Sequence, residues 1–473
     1  MKRSISILVV IGCLVLSAGD RKAVSLATRS DDPPLHGRDV EFPPPFWPDI
    51  LAAEAAISVA YGAGYYDVSE YMIGSVTVGL ILPESNGAID PSTEDWTPQE
   101  QQKVYDEVVE GTTWWTAREP SANISFTYEV HNSVPTSYEP IIHKHGNPYY
   151  GGEEHLWMTE VMSALGFPPH SGQQGYVLAV YDFANDLRTR YGTDWAVVIF
   201  VVDSSNDADG KFTDGWRGYA RFGGPHFVMT YDSGEYGIEN MGGVAAHEMA
   251  HIFYTLDEYI EVEQPCTETS GYLNVPNQNS EYGACLLDEP CIMRDILGPS
   301  WNGGPYSNGI VCPYSRGQIG QRDSDGDGIL DIVDTLPNSV LNEYLPDPSD
   351  TWTPTYTGTA QVVPYPNSNP YPWGDRPRND ISVNTIASVQ YRVNGGSWKS
   401  TIPADGAFDE AEESFTFTPL LLWAGTYLIE TRAINSVGNA ETSYGSDTLI
   451  ISSDWIPSDF VFLPLVLKEG SVD

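Results

Sequence analysis

Residues 242–259 read GGVAAHEMAHIFYTLDEY, and this stretch decides how the rest of the chain is interpreted. His247 and His251 are four residues apart, so on a helix both imidazoles project from one face and can reach a single metal ion. Glu248 lies beside that face, where its carboxylate can act as a general base. The small and apolar neighbours are typical of a helix buried in a domain core. The stretch therefore predicts a zinc-binding helix.

A catalytic zinc site has three protein ligands and one open position, so this motif leaves one ligand to be found. Asp257, six residues after His251, is the first choice, and Glu258 beside it is the alternative. A later carboxylate such as Glu281 is a third candidate. The Pro, Asn and Gly residues around it argue against the helix that such a ligand needs. The predicted zinc ligands are thus His247, His251 and Asp257.

This segment resembles the zinc segment of the metzincin metalloproteases, whose third ligand also follows the second histidine by six residues. Those enzymes have glycine three residues after that histidine, where this chain has Tyr254. They also have a methionine in a tight turn beneath the zinc, and Met293 in the sequence CIMR at 291–294 matches it. The ending LDEY at 256–259 is similar to that of IgA-peptidase-type metallopeptidases and of the metallohydrolase domain of calcium-activated chloride channel regulators, whose spacing is one residue longer. The resemblance covers roughly residues 71–320.

The resemblance implies a zinc-dependent endopeptidase that hydrolyses peptide bonds with a zinc-activated water and Glu248 as general base. Protein or peptide substrates are expected, including cell-surface or extracellular glycoproteins. A strand predicted at 225–231 would bind an extended substrate by backbone pairing if it edges the cleft. Two other classes stay open: a catalytically inactive adhesion or binding protein on the same scaffold, and a zinc amidase acting on a surface polymer. The intact motif favours the peptidase, since amidases do not usually use H-E-x-x-H.

Charge and the N-terminus indicate an exported protein. The 473 residues include 65 acidic and 23 basic side chains, for a formal net charge of -42, which argues against nucleic acid or anionic membranes as partners. Two basic residues, an apolar run and small residues predict a signal peptide over 1–19, with lipoprotein anchoring through Cys13 as the second interpretation. The absence of a later apolar run long enough to span a membrane leads us to expect a secreted monomer.

The four cysteines that remain after export lie in one window behind the zinc helix: Cys266, Cys285, Cys291 and Cys312. An even, clustered set in a secreted chain favours two disulfides, with three possible pairings. Pairing Cys266 with Cys285 and Cys291 with Cys312 closes the shortest loops and is the pairing we predict. The alternative is a cysteine-rich metal site, although no C-x-x-C spacing is present.

The pattern of elements predicts an α/β (α+β), metzincin-like catalytic domain over residues 71–320, built on a mixed sheet. Strands are expected at 75–82, 123–128 and 195–202, the last apolar on both faces. Helices are expected at 97–116, 153–165 and 173–191, the first with a capping box between Thr97 and Glu100. Residues 20–70 are rich in proline and form either a removable pro-segment or an arm packed on this domain.

Residues 323–334, DSDGDGILDIVD, have the spacing of an EF-hand-type calcium loop, with Asp instead of Glu at the last position. We expect a structural Ca²⁺ that stiffens the linker at 321–345. The candidate ligands are Asp323, Asp325, Asp327, Ile329 through its carbonyl, Asp331 and Asp334.

Short strands between turns predict an all-β, immunoglobulin-like sandwich over residues 346–453, followed by a tail at 454–473. Two further groups resemble metal sites only loosely. The acidic loop at 203–210 is interpreted as an ordinary polar loop, and His143 and His145 as loop histidines.

Overall fold

The computed structural model describes residues 59–298, 303–371 and 378–452, together with a short strand at 40–41. The predicted signal peptide, the alternative anchor Cys13, most of the N-terminal arm and the tail at 454–473 lie outside this part of the chain.

The described α-helices are α1 (Pro98–Thr113), α2 (Glu154–Ala164), α3 (Gly175–Tyr191), α4 (Met241–Ile252), α5 (Pro305–Asn308) and α6 (Pro313–Gln318). The capping box of α1 is confirmed, because Thr97 Oγ1 accepts from the Glu100 amide at 3.3 Å and Glu100 Oε2 accepts from the Thr97 amide at 2.7 Å. None of the helices in these residues is long and apolar enough to cross a membrane.

The strands fall into two groups along the chain. The first group comprises β1 (Val40–Glu41), β2 (Ser75–Ser85), β3 (Ser125–Thr136), β4 (Trp195–Val202), β5 (Gly218–Arg221), β6 (His226–Thr230), β7 (Thr269–Ser270) and β8 (Val275–Pro276). The second comprises β9 (Asn338–Leu341), β10 (Tyr356–Gln361), β11 (Ile386–Val393), β12 (Lys399–Ser400), β13 (Ile402–Pro403), β14 (Glu412–Phe417), β15 (Gly425–Asn435) and β16 (Gly445–Ile451).

The first group forms a mixed six-stranded sheet in the order β1-β5-β6-β4-β2-β3. The four strands β3, β2, β4 and β6 run parallel, whereas β5 runs antiparallel to β6. The predicted mixed sheet is therefore confirmed.

Strand β4 shows why this sheet is covered on both faces. Every residue of β4 is buried. Val197 and Ile199 belong to the core that includes α1 and α4, while Val198 and Phe200 belong to the core that includes α2 and α3. Alternate side chains of one strand thus enter two different cores, which explains its continuous apolar sequence. The zinc motif lies on the α1–α4 side.

The second group of strands forms two four-stranded antiparallel sheets, β13-β14-β10-β9 and β12-β11-β15-β16. The two sheets share one hydrophobic core, to which Tyr356, Phe415 and Ile429 contribute fully buried side chains. The predicted all-β sandwich is present in this form. Its first strand, β9, precedes residue 346, so the sandwich begins earlier in the chain than the sequence predicts.

Candidate metal centre

Helix α4 carries the zinc motif and ends in a tight reversal. The backbone N–H of Tyr254 donates to the carbonyl of His251, and that of Thr255 donates to the carbonyl of Ala250, both at 3.0 Å. This pair of bonds is the Schellman motif, in which the residue after the cap adopts the left-handed conformation. Tyr254 has a φ of 67°. The chain therefore turns here with tyrosine at the position where the metzincins have glycine.

Three side chains converge here, two from α4 and one from the segment after the turn. The Nε2 atoms of His247 and His251 lie 3.1 Å apart. Oδ1 of Asp257 lies 3.3 Å from Nε2 of His247 and 3.0 Å from Nε2 of His251. A tetrahedral zinc ion with bonds of about 2.0–2.1 Å separates its ligand atoms by about 3.3 Å. The observed triangle of donor atoms has nearly this size, so the three residues fit a zinc ion.

Backbone carbonyls fix the orientation of both imidazoles. Nδ1 of His247 lies 2.9 Å from the carbonyl oxygen of Ile292, and Nδ1 of His251 lies 2.6 Å from that of Thr255. Because a carbonyl oxygen can only accept, each Nδ1 carries the hydrogen, and in the neutral imidazole Nε2 then presents a lone pair to the centre. This is the tautomer that a metal ligand requires.

The segment around Asp257 is held by side chains that come from later in the chain. Asn277 Nδ2 donates to the Asp257 carbonyl at 2.8 Å, and Gln318 Oε1 accepts from the preceding backbone amide at 2.9 Å. The following amide donates to the carbonyl of the buried Met293 at 2.9 Å. Sequence reasoning identified Met293 but missed Asn277 and Gln318, since no local pattern distinguishes these two amides from any others.

Glu248 faces β5, the strand that lies antiparallel beside the parallel part of the sheet. A Cβ atom placed on Gly218 of β5 would lie 3.2 Å from Glu248 Oε1. The strand expected at 225–231 is present as β6, but it does not edge the cleft, because β6 lies between β5 and β4 inside the sheet. The four residues of β5, GYAR, contain no β-branched residue and gave no strand signal.

The whole centre is buried. Glu248, His251 and Asp257 are 0% exposed and His247 is 1% exposed. On the outer side of β5, strand β1 of the N-terminal arm pairs with it in parallel, Val40 opposite Ala220 and Glu41 opposite Arg221. The arm therefore occupies the sheet edge that an extended substrate would use.

The two other candidate carboxylates lie elsewhere. Glu258 Oε1 accepts from Cys312 Sγ at 2.9 Å and from Ser315 Oγ at 2.7 Å. Burial raises the pKa of Glu258, and these hydrogen bonds act in the opposite direction. Glu281 forms an ion pair with Arg294 at 2.8 Å. Within the described residues it is Asp257 that groups with the two histidines.

The predicted cysteine pairing is right for one pair and wrong for the other. Cys266 and Cys285 form a disulfide. Cys291 and Cys312 remain free thiols, both buried. Each of them has hydrogen-bond partners in place of a covalent bond: the Cys312 thiol donates to Glu258, and the Cys312 amide donates to Cys291 Sγ at 3.2 Å.

The carboxylates of the predicted calcium loop do not all have the same neighbours. Carboxylate oxygens of Asp323, Asp325 and Asp327 come together in one group. Asp331 instead pairs with Arg322 at 2.6 Å, and Asp334 accepts from Asn439 Nδ2 at 2.6 Å. The Ile329 amide donates to Asp327 Oδ1 at 2.8 Å, so residue 329 stays beside the acidic group.

The two histidines and the acidic loop at 203–210 form contacts with nearby protein groups. Nε2 of His143 lies 2.8 Å from Asp90, while Nδ1 of His145 lies 2.8 Å from Asp214. In the loop at 203–210, Asp207 Oδ1 accepts from the amides of residues 209 and 210, both at 3.0 Å. These contacts agree with the interpretation as loop residues.

Comparisons with known proteins assign this centre to no family. No protein-family model matches the chain, and no curated protein matches it. Among solved structures, the sulfane dehydrogenase SoxCD of Paracoccus pantotrophus is 14% identical over 25% of this chain and 31% of its own, with a TM-score of 0.17. A GH3 beta-glucosidase of Bifidobacterium adolescentis is 10% identical over 84% of this chain and 51% of its own, with a TM-score of 0.15. A nucleoside hydrolase-related hypothetical protein of Saccharophagus degradans is 9% identical over 80% and 100%, with a TM-score of 0.12. Scores this low carry no argument about fold or function.

Proposed function

We propose that this chain is a zinc-dependent endopeptidase. The observation that carries the proposal is the triangle of donor atoms from His247, His251 and Asp257, with Glu248 on the same helix. Two neutral imidazoles and one carboxylate at these separations suit a catalytic zinc with an open position. The Met293 turn beside Asp257 adds support from the resemblance to metzincins.

Each residue of the centre has a role in this proposal. His247, His251 and Asp257 hold the zinc ion, which when bound supplies a Lewis acid for the scissile carbonyl and the attacking water. Glu248 takes a proton from the attacking water and returns it to the leaving amine. Once strand β1 of the arm has left it, strand β5 offers its backbone to an extended peptide, and Gly218 leaves room beside Glu248 because it has no side chain.

The same proposal includes the calcium loop, the C-terminal sandwich and the location of the protein. The loop with Asp323, Asp325 and Asp327 holds a structural calcium ion, and the sandwich is an immunoglobulin-like module. The chain is secreted and acts as a monomer on extracellular protein substrates.

A second candidate function rests on the burial of the centre. A peptidase must admit its substrate, yet Glu248 and Asp257 are 0% exposed. This observation favours either a latent enzyme covered by its arm or a catalytically inactive binding protein that keeps the metal for stability. The two cases differ in what happens when the arm is removed.

The deciding experiment measures zinc content and casein cleavage together, with and without the residues before 59. We expect cleavage by the shortened protein and one zinc per chain that His251→Gln removes, and Glu248→Gln should retain that zinc while losing cleavage. Glu281→Gln is the matched control, because it removes a carboxylate outside the centre and should change neither property. If the shortened protein keeps zinc and still leaves casein intact, the binding-protein alternative replaces the peptidase. If it holds no zinc, both proposals fail.

A further inference from the structure

Behind the zinc centre, a second cluster of metal-ligating groups is formed by Glu258, Cys291 and Cys312. All three are buried, and one ligand atom from each lies within 4.8 Å of the other two. We infer that this cluster is a second metal site, a structural one with two thiolates and one carboxylate for a zinc-like divalent cation. The inference does not depend on the peptidase proposal.

The donor atoms already form a compact shell. Glu258 Oε1 lies 2.9 Å from Cys312 Sγ and 2.7 Å from Ser315 Oγ. Ser315 Oγ in turn lies 3.4 Å from each of the two sulfur atoms. Tetrahedral zinc with bonds of about 2.0 Å to oxygen and 2.3 Å to sulfur separates its ligand atoms by about 3.3–3.8 Å. The shell is slightly tighter than a filled site, and Ser315 stands where a fourth donor belongs.

Hydrogen bonds to the two sulfur atoms also suit thiolates. The Cys312 amide donates to Cys291 Sγ at 3.2 Å, and the Ser315 amide donates to Cys312 Sγ at 3.3 Å. Neutral thiols accept weakly, whereas metal-bound thiolates carry the charge that such donors stabilise. Asn279 Nδ2 donates to Glu258 Oε2 at 2.6 Å and orients the carboxylate. Every candidate ligand therefore has a polar partner behind it.

Binding of a divalent metal ion at this site releases protons and leaves the total charge of the site unchanged. A divalent cation displaces the two thiol protons, which leave to solvent, and the ionised carboxylate completes the ligand set. Soft thiolate ligands select zinc over calcium or magnesium, so this site and the acidic loop at 323–327 would take different ions.

The position of the cluster gives the second metal a role. Glu258 directly follows Asp257, and its amide donates to the Met293 carbonyl at 2.9 Å. Cys291 lies two residues before Met293, and Cys312 caps α6. A metal ion here would join the segment that carries the third zinc ligand to the Met293 turn and to α6. It would also protect two contacting thiols in a chain that already forms the Cys266–Cys285 disulfide.

Cobalt substitution tests the site in the full-length protein. After chelation, Co²⁺ loading should produce the thiolate-to-metal charge-transfer absorption, which ligands such as His247 and Asp257 cannot give. We expect Cys291→Ser and Cys312→Ser each to weaken this absorption by about half or more. His251→Gln is the control, because it removes only the first centre and should leave the absorption unchanged.

Two measurements on the wild type keep the inference testable if the serine variants fail to fold. Thiols are titrated in protein that lacks residues 1–19, and with them Cys13, after unfolding as purified without reductant, and two reactive thiols per chain are expected. If none reacts, the pair is a disulfide and the inference is overturned. If both react while Co²⁺ produces no charge-transfer absorption, the cluster is only a hydrogen-bonded thiol pair, and the inference is again overturned.

Discussion

Tyr254 offers a direct test of how the turn after the zinc helix is stabilised. Replacing it with glycine relieves the left-handed strain at φ 67°, which is worth about 1 kcal/mol. The same change removes a side chain that is only 2% exposed, packs edge-on against Phe222 at 5.5 Å and lies over Gly223. Truncating a buried aromatic side chain costs about 3–5 kcal/mol. We therefore expect Tyr254→Gly to destabilise the domain by about 2–4 kcal/mol, although glycine is the residue that the metzincins have at this position.

The assay is urea unfolding of the metal-depleted protein, followed by far-ultraviolet circular dichroism. This signal reports mainly on the α/β domain, because the described α-helices all precede residue 319. Metal depletion is needed because ligand binding shifts apparent stability by mass action. Tyr254→Phe is the control: it keeps the ring and loses the hydroxyl, which lies 3.3 Å from Glu70, so a change below about 1 kcal/mol is expected.

One result would refute this reasoning. If Tyr254→Gly is as stable as the wild type, or more stable, then strain outweighs packing at this turn. The tyrosine would then need another explanation than the aromatic contacts around it.

Three further predictions address the arm, the buried carboxylate of Glu94 and the calcium loop. A chain beginning at residue 59 should cleave casein at least about tenfold faster than the full chain, because the edge of β5 is freed; equal rates would show that the arm does not block it. Burial raises the pKa of Glu94 to about 7, above its unfolded value, so its stabilising contribution is present below about pH 4.5 and is lost as the pH rises through about 7. Glu94→Gln should therefore exceed the wild type in free energy of unfolding by on the order of 1 kcal/mol at about pH 8 and by nothing at about pH 4. Urea titrations that show the same difference at both pH values would contradict the raised pKa of Glu94. Calcium should raise the melting temperature of the wild type and of Asp334→Asn but not of Asp325→Asn; a loss of the effect in Asp334→Asn would mean that position 334 also binds the ion.

Sequence reasoning succeeded where the chemistry is local. The two histidines and Asp257 lie within eleven residues of one another, and helix geometry followed by one turn brings them together. Sequence reasoning could not foresee contacts between segments that are distant in the chain. Asp334 meets Asn439, more than a hundred residues away, so the calcium spacing could not reveal that this carboxylate has another partner. The short spacing correctly brings Cys291 and Cys312 together, but it could not show that they contact each other and Ser315 as free thiols instead of forming a disulfide.

Tyr254 connects the turn after the zinc helix to the loop that follows β5. With tyrosine in the turn, the ring needs space, and Gly223 provides it: a Cβ atom there would lie 2.3 Å from the Tyr254 ring. The Gly223 amide also donates to the carbonyl of His251 at 3.1 Å. The connection between β5 and β6 is thus fastened to the C-terminal end of the zinc helix by both a packing contact and a hydrogen bond. Because β5 passes Glu248 at Gly218, the same fastening sets the distance between the substrate edge and the general base of the proposed peptidase. A glycine in the turn would remove the packing contact and leave that distance to the hydrogen bond and the sheet.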